Sequence, residues 1–388
     1  MRILCVNQFF WPDSAPTGLL LRELSEHLIE RGHRVDVLCS DSGYQAESTG
    51  EPPQATVHRI RSFAFSRSAP ARLLSWLSFL AGAIIKSLCL QPYDLILVMT
   101  TPPGLSYLGW LHRLLRRTPF WIWEMDLYPD VAFGTGKLQK QSATTRLLSY
   151  LMNKPRHAAA GLIALGTCMK ERLHNNGIPE RNIVVAENWT TLEVHPAKPI
   201  PKTGPIVVLY SGNLGLAHET QTISSVMLAL RSDSRFRFEF AGGGARYVQL
   251  KDFCERNQIR NAEFLPFHQP NVFTDRIAKA HVGLITLEPE CLGTVVPSKF
   301  YTLLAAGRPI LFIGPGAATP ARHIKSTNCG WQHEAGDATG VIALLYTLAD
   351  NPHTISEAAK QSREAYTHYH SQQPGLQQLI RCLTGGHS

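Results

Sequence analysis

The sequence predicts an α/β protein of two doubly wound parallel-sheet domains, on three observations. Short, near-continuous apolar runs recur along the chain, amphipathic helical segments alternate with them, and one proline-rich polar stretch divides the series in two. Runs of this kind suit strands buried on both faces, and their alternation with helices is the signature of parallel crossover units.

In chain order, RILCVNQF (2–9) is a strand and LLLRELSEHLIERG (19–32) an amphipathic helix closed by Gly32. RVDVLCS (34–40), DLILVMT (94–100), PFWIWEM (119–125) and GLIALG (161–166) are further strands, with helices at 145–158 and 167–177. LLSWLSFLAGAIIKSLCL (73–90) is interrupted by Lys86 and reads as a buried helix, short of the roughly 20 uncharged residues of a membrane span.

At 191–205, TLEVHPAKPIPKTGP is polar and carries four prolines, so it reads as a linker. A second series follows: strands at 205–212, 236–244, 262–267, 281–287 and 308–314, with helices at 219–231, 245–257 and after Ser298. The domains are accordingly set at 1–195 and 205–388, with a tail helix at about 355–383 that can reach back across the linker. Two such domains leave a cleft, where ligands are expected at the carboxyl ends of the strands.

The 388 residues are 44% hydrophobic and 18% charged, a balance that excludes a disordered chain. Eight cysteines are scattered without a CxxC pair, and the N-terminus enters a strand at once, so a cytoplasmic location is expected. The formal charge is +8 and unevenly spread: between Arg59 and Trp123, eight Arg and Lys face Asp94 alone, interleaved with Trp76, Phe79, Trp110, Phe120 and Trp121. A basic, aromatic-rich stretch suits an anionic membrane surface. A solvated face over an ordinary core is the plainer reading, and no nucleic-acid motif accompanies the stretch.

Four loops at strand ends carry groups that hold anions. Thr17 and Gly18 precede a helix whose free N–H groups can meet an oxygen. In YSGNLGLAH, Gly212 and Gly215 allow close backbone approach and Asn213 offers donor and acceptor. AGGGAR, with Gly243, resembles a phosphate cradle but lacks the dinucleotide fingerprint. In VPSKFYTLLAAGRP, Pro297 and Ser298 open a short helix with Ser298 as N-cap and Gly307 as C-cap. Lys299 stands there against the helix dipole, and with the Ser298 hydroxyl it suits a diphosphate. Glu124, Asp126 and Asp130 follow one strand and Glu288 and Glu290 another; Asp126 is best placed as a base. His368 and His370 have no evident third ligand, so no metal site is assigned.

These motifs together resemble a bacterial GT-B glycosyltransferase of family 4, in the branch that builds O-antigen, capsule and related exopolysaccharides. The resemblance rests on FFWPDSAPTGLLLRELSEHLIERGHRVDVL, WEMDLYPD, ENW, YSGNLGLAHE, FEFAGGGARYVQLKDFCERN and VPSKFYTLLAAGRPILF. It implies two Rossmann-like domains facing a cleft. The C-terminal one would hold a nucleotide-diphosphate sugar (UDP- or GDP-linked), the N-terminal one a polyprenyl-diphosphate-linked glycan acceptor at the inner membrane face. It further implies a metal-independent hexosyl transfer with retention, no cofactor, and leaving-group stabilisation by backbone N–H groups and Lys299. Donor contacts would come from Gly212, Asn213, Gly215, Gly243, Glu290, Thr294, Pro297, Ser298, Lys299 and Thr302; Thr17, Gly18 and Asp126 would serve the acceptor side.

The chain departs from the family at Thr294 and Thr302, where many relatives carry two glutamates, and at Met125, where a histidine is common. A non-catalytic or partner-dependent nucleotide-sugar-binding homologue and a sugar-nucleotide epimerase on the same fold therefore stay open.

Overall fold

The computed structural model describes residues 1–43, 51–66, 68–138, 142–192, 194, 204–266 and 270–385. The chain divides into two compact units. Met1–Asp130, Gln139–Glu187 and Gln373–Ser388 form the first; Val131–Leu138 and Asn188–Gln372 form the second. Most of the stretch read as a linker, 193 and 195–203, lies outside the described residues.

The first unit is built from β1 (Arg2–Val6), α1 (Pro16–Glu30), β2 (Arg34–Ser40), β3 (Thr56–Ile60), α2 (Ala69–Cys89), β4 (Leu95–Met99), α3 (Ser106–Arg116), β5 (Phe120–Glu124), α4 (Asp130–Gly134), α5 (Ala143–Ala158), β6 (Gly161–Ala164), α6 (Thr167–Asn175) and β7 (Ile183–Val185), with α4 running on into the second unit. The strands pair in parallel in the order β3-β2-β1-β4-β5-β6-β7. β1 and β4 are neighbours in register from Ile3↔Leu95 to Val6↔Val98, so the strand order reverses between them. Ligands bind at such a reversal, outside the carboxyl ends of the strands. The loops that follow β1 and β4 meet there, the Gln8 N–H donating to the Thr101 carbonyl at 3.0 Å.

The second unit contains β8 (Ile206–Asn213), α7 (Gln221–Ala229), β9 (Phe236–Gly243), α8 (Ala245–Arg256), β10 (Ala262–Leu265), α9 (Pro270–Lys279), β11 (Val282–Thr286), α10 (Lys299–Ala305), β12 (Ile310–Ile313), α11 (Thr319–Thr327), β13 (Gly330–His333), α12 (Ala338–Asp350), α13 (His353–Ala365) and the start of α14 (Gln372–Thr384). Its parallel sheet has the order β10-β9-β8-β11-β12-β13, reversing between β8 and β11. Val208 and Tyr210 of β8 enter one apolar core and Leu209 between them enters the other. Period-two alternation with both faces covered explains why these strands are apolar throughout. Again the two switch-point loops touch, the Glu288 N–H donating to the Ala217 carbonyl at 2.8 Å.

Three expectations need correction. Residues 73–90 are not a buried helix. In α2, Ser75, Phe79, Ala83 and Ser87 form a fully buried stripe at four-residue spacing, whereas Leu73, Leu77 and Ile85 are 53%, 55% and 66% exposed. Mean hydropathy cannot distinguish two apolar faces, only one of which meets the sheet. Lys86 lies in the last turn, so Pro70–Cys89 is long and apolar enough to cross a membrane by length and composition, and 22% of it is buried within the protein. The tail is not one helix: a π-helical turn at Tyr366–His370 and extended Ser371 separate α13 from α14. Finally, α1 begins at Pro16, whose fixed φ suits the first helical position, so Thr17 and Gly18 lie in the first turn rather than before it.

The approach of β8 to β9 requires glycine. Gly212 pairs with Gly242, which has φ +145°, and a Cβ at 242 would stand 2.0 Å from the Gly212 carbonyl oxygen. Gly242→Ala should therefore lower the stability of the second unit by about 2 kcal/mol or more. Gly215→Ala, whose Cβ would meet nothing nearer than Asn213 Nδ2 at 3.5 Å, should leave it nearly unchanged. Calorimetric unfolding of the two variants checks the contrast.

Candidate active site

In the second unit the loops after β8, β9 and β11 converge on the start of α10. Phe300–Ala305 is fully turned into the core, which fixes the helix and carries Lys299 inward with it. The lysine stem crosses Gly212, where a Cβ would come within 2.4 Å of Cε, and Nζ lies over the Tyr210 ring at 5.1 Å from its centroid. Burial pushes the ammonium pKa down to about 8, and among the described residues no carboxylate offsets it. The cation therefore has a π face beneath it and no anion in front of it, an arrangement that favours an anionic ligand.

Tyr210 is itself held: its hydroxyl donates to the Asn213 carbonyl at 2.9 Å and lies 3.2 Å from His218 Nε2. His218 Nδ1 faces the Thr286 carbonyl at 2.8 Å, so Nδ1 carries the proton. Burial first, and the Lys299 charge second, lower the His218 pKa to about 3, which keeps it neutral and leaves Lys299 as the cation at this point. Arg246 is not available as a simple substitute, because its Nη2 donates to Glu288 Oε1 at 2.9 Å.

In the first unit Asp126 follows β5. Its N–H and that of Met125 donate to Thr100 Oγ1 at 3.2 and 3.0 Å. The half-buried carboxylate opens on a small pocket lined by Thr100, Gly104, Ser106, Tyr128 and Arg156. Burial, with the neighbouring Glu124 charge in second place, pushes the Asp126 pKa up to about 6. Glu124 is fully buried and gripped by Arg156, from Nε to Oε1 at 2.6 Å and from Nη2 to Oε2 at 3.1 Å. Arg156 Nη1 also donates to the Tyr128 carbonyl at 2.9 Å, so one guanidinium ties the end of β5 to the loop that carries Asp126.

The remaining predicted residues are placed as follows. Asn213 is exposed at the end of β8, in register with Gly243 of β9, and Gly212 and Gly215 flank it. Ser298 is exposed beside Lys299 but has helical φ and ψ and makes no capping bond, so the expected N-cap is not formed; α10 is only seven residues long. Gly307 follows the Ala306 C-cap with φ +59°. Pro297 is buried, and Glu290 is exposed on the loop after β11. Thr294 is fully buried with its hydroxyl on the Cys291 carbonyl at 2.9 Å, and the Thr302 hydroxyl is 3.1 Å from that of Thr190. Gly18 donates its N–H to the Ala15 carbonyl at 2.9 Å, and Thr17 Oγ1 accepts from Asn7 Nδ2 at 3.2 Å.

Sequence reasoning missed Tyr210, His218 and the partnership of Glu124 with Arg156. A carboxylate in the apolar run WIWEM did carry a signal, since a buried charge requires a nearby cation.

With the geometry in hand, comparison with known proteins gives three results. Residues 18–189 match the profile of the glycosyl transferase 4-like domain family. The chain is 26% identical over 359 residues, 87% of each protein, to the probable glycosyltransferase WbjE of Pseudomonas aeruginosa. Its fold matches sucrose-phosphate synthase of Thermosynechococcus elongatus (TM-score 0.77, 14% identity, 99% of both chains) and HepE of Anabaena solved with UDP (TM-score 0.72, 14% identity, all of both chains). The two α/β units thus have the GT-B fold, and residues 18–189 are similar to the glycosyl transferase 4-like domain.

Arg156→Met should remove about 3–5 kcal/mol of unfolding free energy, because it strands the Glu124 carboxylate in the interior. The double variant Glu124→Met/Arg156→Met should lose less than this single one, as chemical denaturation of both would reveal.

Proposed function

We propose that the chain is a retaining, metal-independent glycosyltransferase that moves a hexosyl group from a UDP- or GDP-sugar to a lipid-linked glycan in surface-polysaccharide synthesis, working from the cytoplasmic face of the membrane. The observation that carries the reading is Lys299, a half-buried lysine whose ammonium lies over the Tyr210 ring with no carboxylate partner among the described residues. The 4-like domain match over 18–189 and the WbjE relative support transfer of a sugar; HepE, solved with UDP, supports a uridine nucleotide.

In this reading Lys299 faces the donor diphosphate and stabilises the charge that develops as the bond from the anomeric carbon to phosphate oxygen breaks. The acceptor oxygen forms the new bond on the same face, and its proton passes to the departing phosphate. Asp126 orients the acceptor hydroxyl as a hydrogen-bond acceptor, which requires its ionised form. With Thr294 sealed in the core and Thr302 where relatives carry a glutamate, the ribose is held by the Thr302 hydroxyl and backbone groups. The same two threonines favour a second reading, a homologue that binds the nucleotide sugar without transferring it. Tight UDP or GDP binding with no turnover on any lipid-linked acceptor would select that one.

Lys299→Ala should weaken UDP or GDP binding about 10- to 100-fold by isothermal titration calorimetry, with an unchanged far-ultraviolet spectrum. Wild-type affinity in that variant contradicts the donor role. Transfer should fall as pH drops through about 6, where Asp126 protonates. Asp126→Asn should cost about 100-fold or more in kcat/KM and abolish that inflection. An unaltered pH profile would remove Asp126 from the reaction.

A further inference from the structure

Helices α2, α3 and α5 lie side by side on the first unit. His112 Nε2 and Ser87 Oγ are 3.0 Å apart and Arg116 donates to the Leu90 carbonyl, joining α3 to α2. The Tyr107 hydroxyl donates to the Leu151 carbonyl at 2.9 Å and Lys154 Nζ lies 5.0 Å from the Trp110 ring centroid, joining α3 to α5. None of the three helices contains an Asp or Glu.

Their outer faces are apolar. Leu77 and Ile85 of α2 are 55% and 66% exposed, Leu114 and Leu115 of α3 are 61% and 62% exposed, and Leu147 of α5 is 58% exposed. Single exposed leucines are ordinary, but neighbouring helices that all present them make a patch of the kind that marks an interaction site. Lys86, Arg113, Arg117, Arg146 and Lys154 are exposed among them and, among the described residues, make no ion pair. The outer side of α1 in the same unit differs: there Arg22 Nε pairs with Glu26 Oε1 at 2.8 Å and both signs of charge are mixed.

We propose that the outer faces of α2, α3 and α5 form one docking surface for an anionic lipid bilayer. Leucines enter the interfacial zone while the long cationic side chains reach the headgroups. A surface of one sign of charge beside uncovered apolar side chains complements anionic lipid; a protein partner would ordinarily be met by mixed charge. The helix α2 lies flat on this surface and does not cross the bilayer. Its inner stripe is bonded into the unit, with Gln8 Nε2 donating to Ser75 Oγ at 3.0 Å and Ser87 bonded to His112. The surface extends past the basic stretch 59–123 to include α5. The helices that form it also wall the Asp126 pocket, through Ser106 of α3 and Met152 and Arg156 of α5. The proposal thus deepens the reading of a lipid-linked acceptor, on which its functional meaning rests.

Flotation of the full chain with vesicles tests it, with neither donor nor acceptor present. The chain should float with phosphatidylcholine–phosphatidylglycerol vesicles, lose that binding as sodium chloride is raised, and stay behind with phosphatidylcholine alone. Arg113→Gln/Arg146→Gln should weaken the partition about fivefold per charge. Leu114→Ser/Leu147→Ser should weaken it even at low salt, with melting temperature preserved. Arg231→Gln/Arg256→Gln, in the second unit, should change nothing. The proposal is overturned by absent binding to anionic vesicles, by equal, salt-indifferent binding to both vesicle types, or by leucine variants that alter self-association and leave flotation intact. Because no substrate is used, those outcomes leave the transferase reading standing, and failed nucleotide binding would leave the docking surface standing.

Discussion

The structure of the second unit turns on one unbalanced charge. Lys299 brings an ammonium into a place where burial pulls its pKa down to about 8, and Tyr210 offers it a ring face instead of a carboxylate. Everything around it is consistent with keeping that charge available. Gly212 gives the stem room, the Tyr210 hydroxyl is fixed by the Asn213 carbonyl, and His218 is held neutral by burial and by the Lys299 charge. A half-buried cation without an anionic partner costs some stability until one arrives, and this cost is the kind that persists at functional sites.

The first unit meets the opposite problem with a different solution. Glu124 is buried outright, and Arg156 satisfies it with a two-pronged grip that reaches on to the Tyr128 carbonyl. The pair is internal bracing: it fixes the loop from 125 to 130 and leaves Asp126 as the carboxylate turned to the pocket. Burial first, and the nearby Glu124 charge second, disfavour ionisation of Asp126 and make it a weak acid. In the second unit Lys299 lies beside Gly212 of β8, at the reversal of strand order between β8 and β11; in the first, Asp126 follows β5, one strand beyond the β1–β4 reversal, and its N–H donates to Thr100 Oγ1 after β4.

Much of the fold was legible because strands buried on both faces leave a plain record in sequence. RVDVLCS was read as residues 34–40 and β2 spans Arg34–Ser40; FRFEFAGGG was read at 236–244 and β9 spans Phe236–Gly243. The strand β3, TVHRI, was missed because an edge strand with a half-exposed face lacks the apolar run. The helix α3 was missed because its arginines and leucines give no cap signal, Leu105 at the N-cap position making no side-chain bond. The helix α2 was recognised but its outer face misjudged, because composition averages over the helix surface. At the candidate site, Gly212 and Lys299 were singled out on separate loops, and the structure places the lysine stem against that glycine. The partner of Glu124 was not, since Arg156 lies 32 residues away and is brought in by the β5–α5 arrangement. Nor could sequence show that Thr294 would be sealed in the core with its hydroxyl on Cys291.

The ionisation of Lys299 can be measured directly. Its side-chain resonances can be assigned by comparison with Lys299→Arg and followed by heteronuclear NMR as pH is raised, with and without UDP or GDP. A pKa near 8 is expected for the free protein, with a clear rise when the diphosphate is bound, because an anion favours the charged form. A lysine that titrates near the ordinary 10.4 and does not respond to either nucleotide would contradict both expectations.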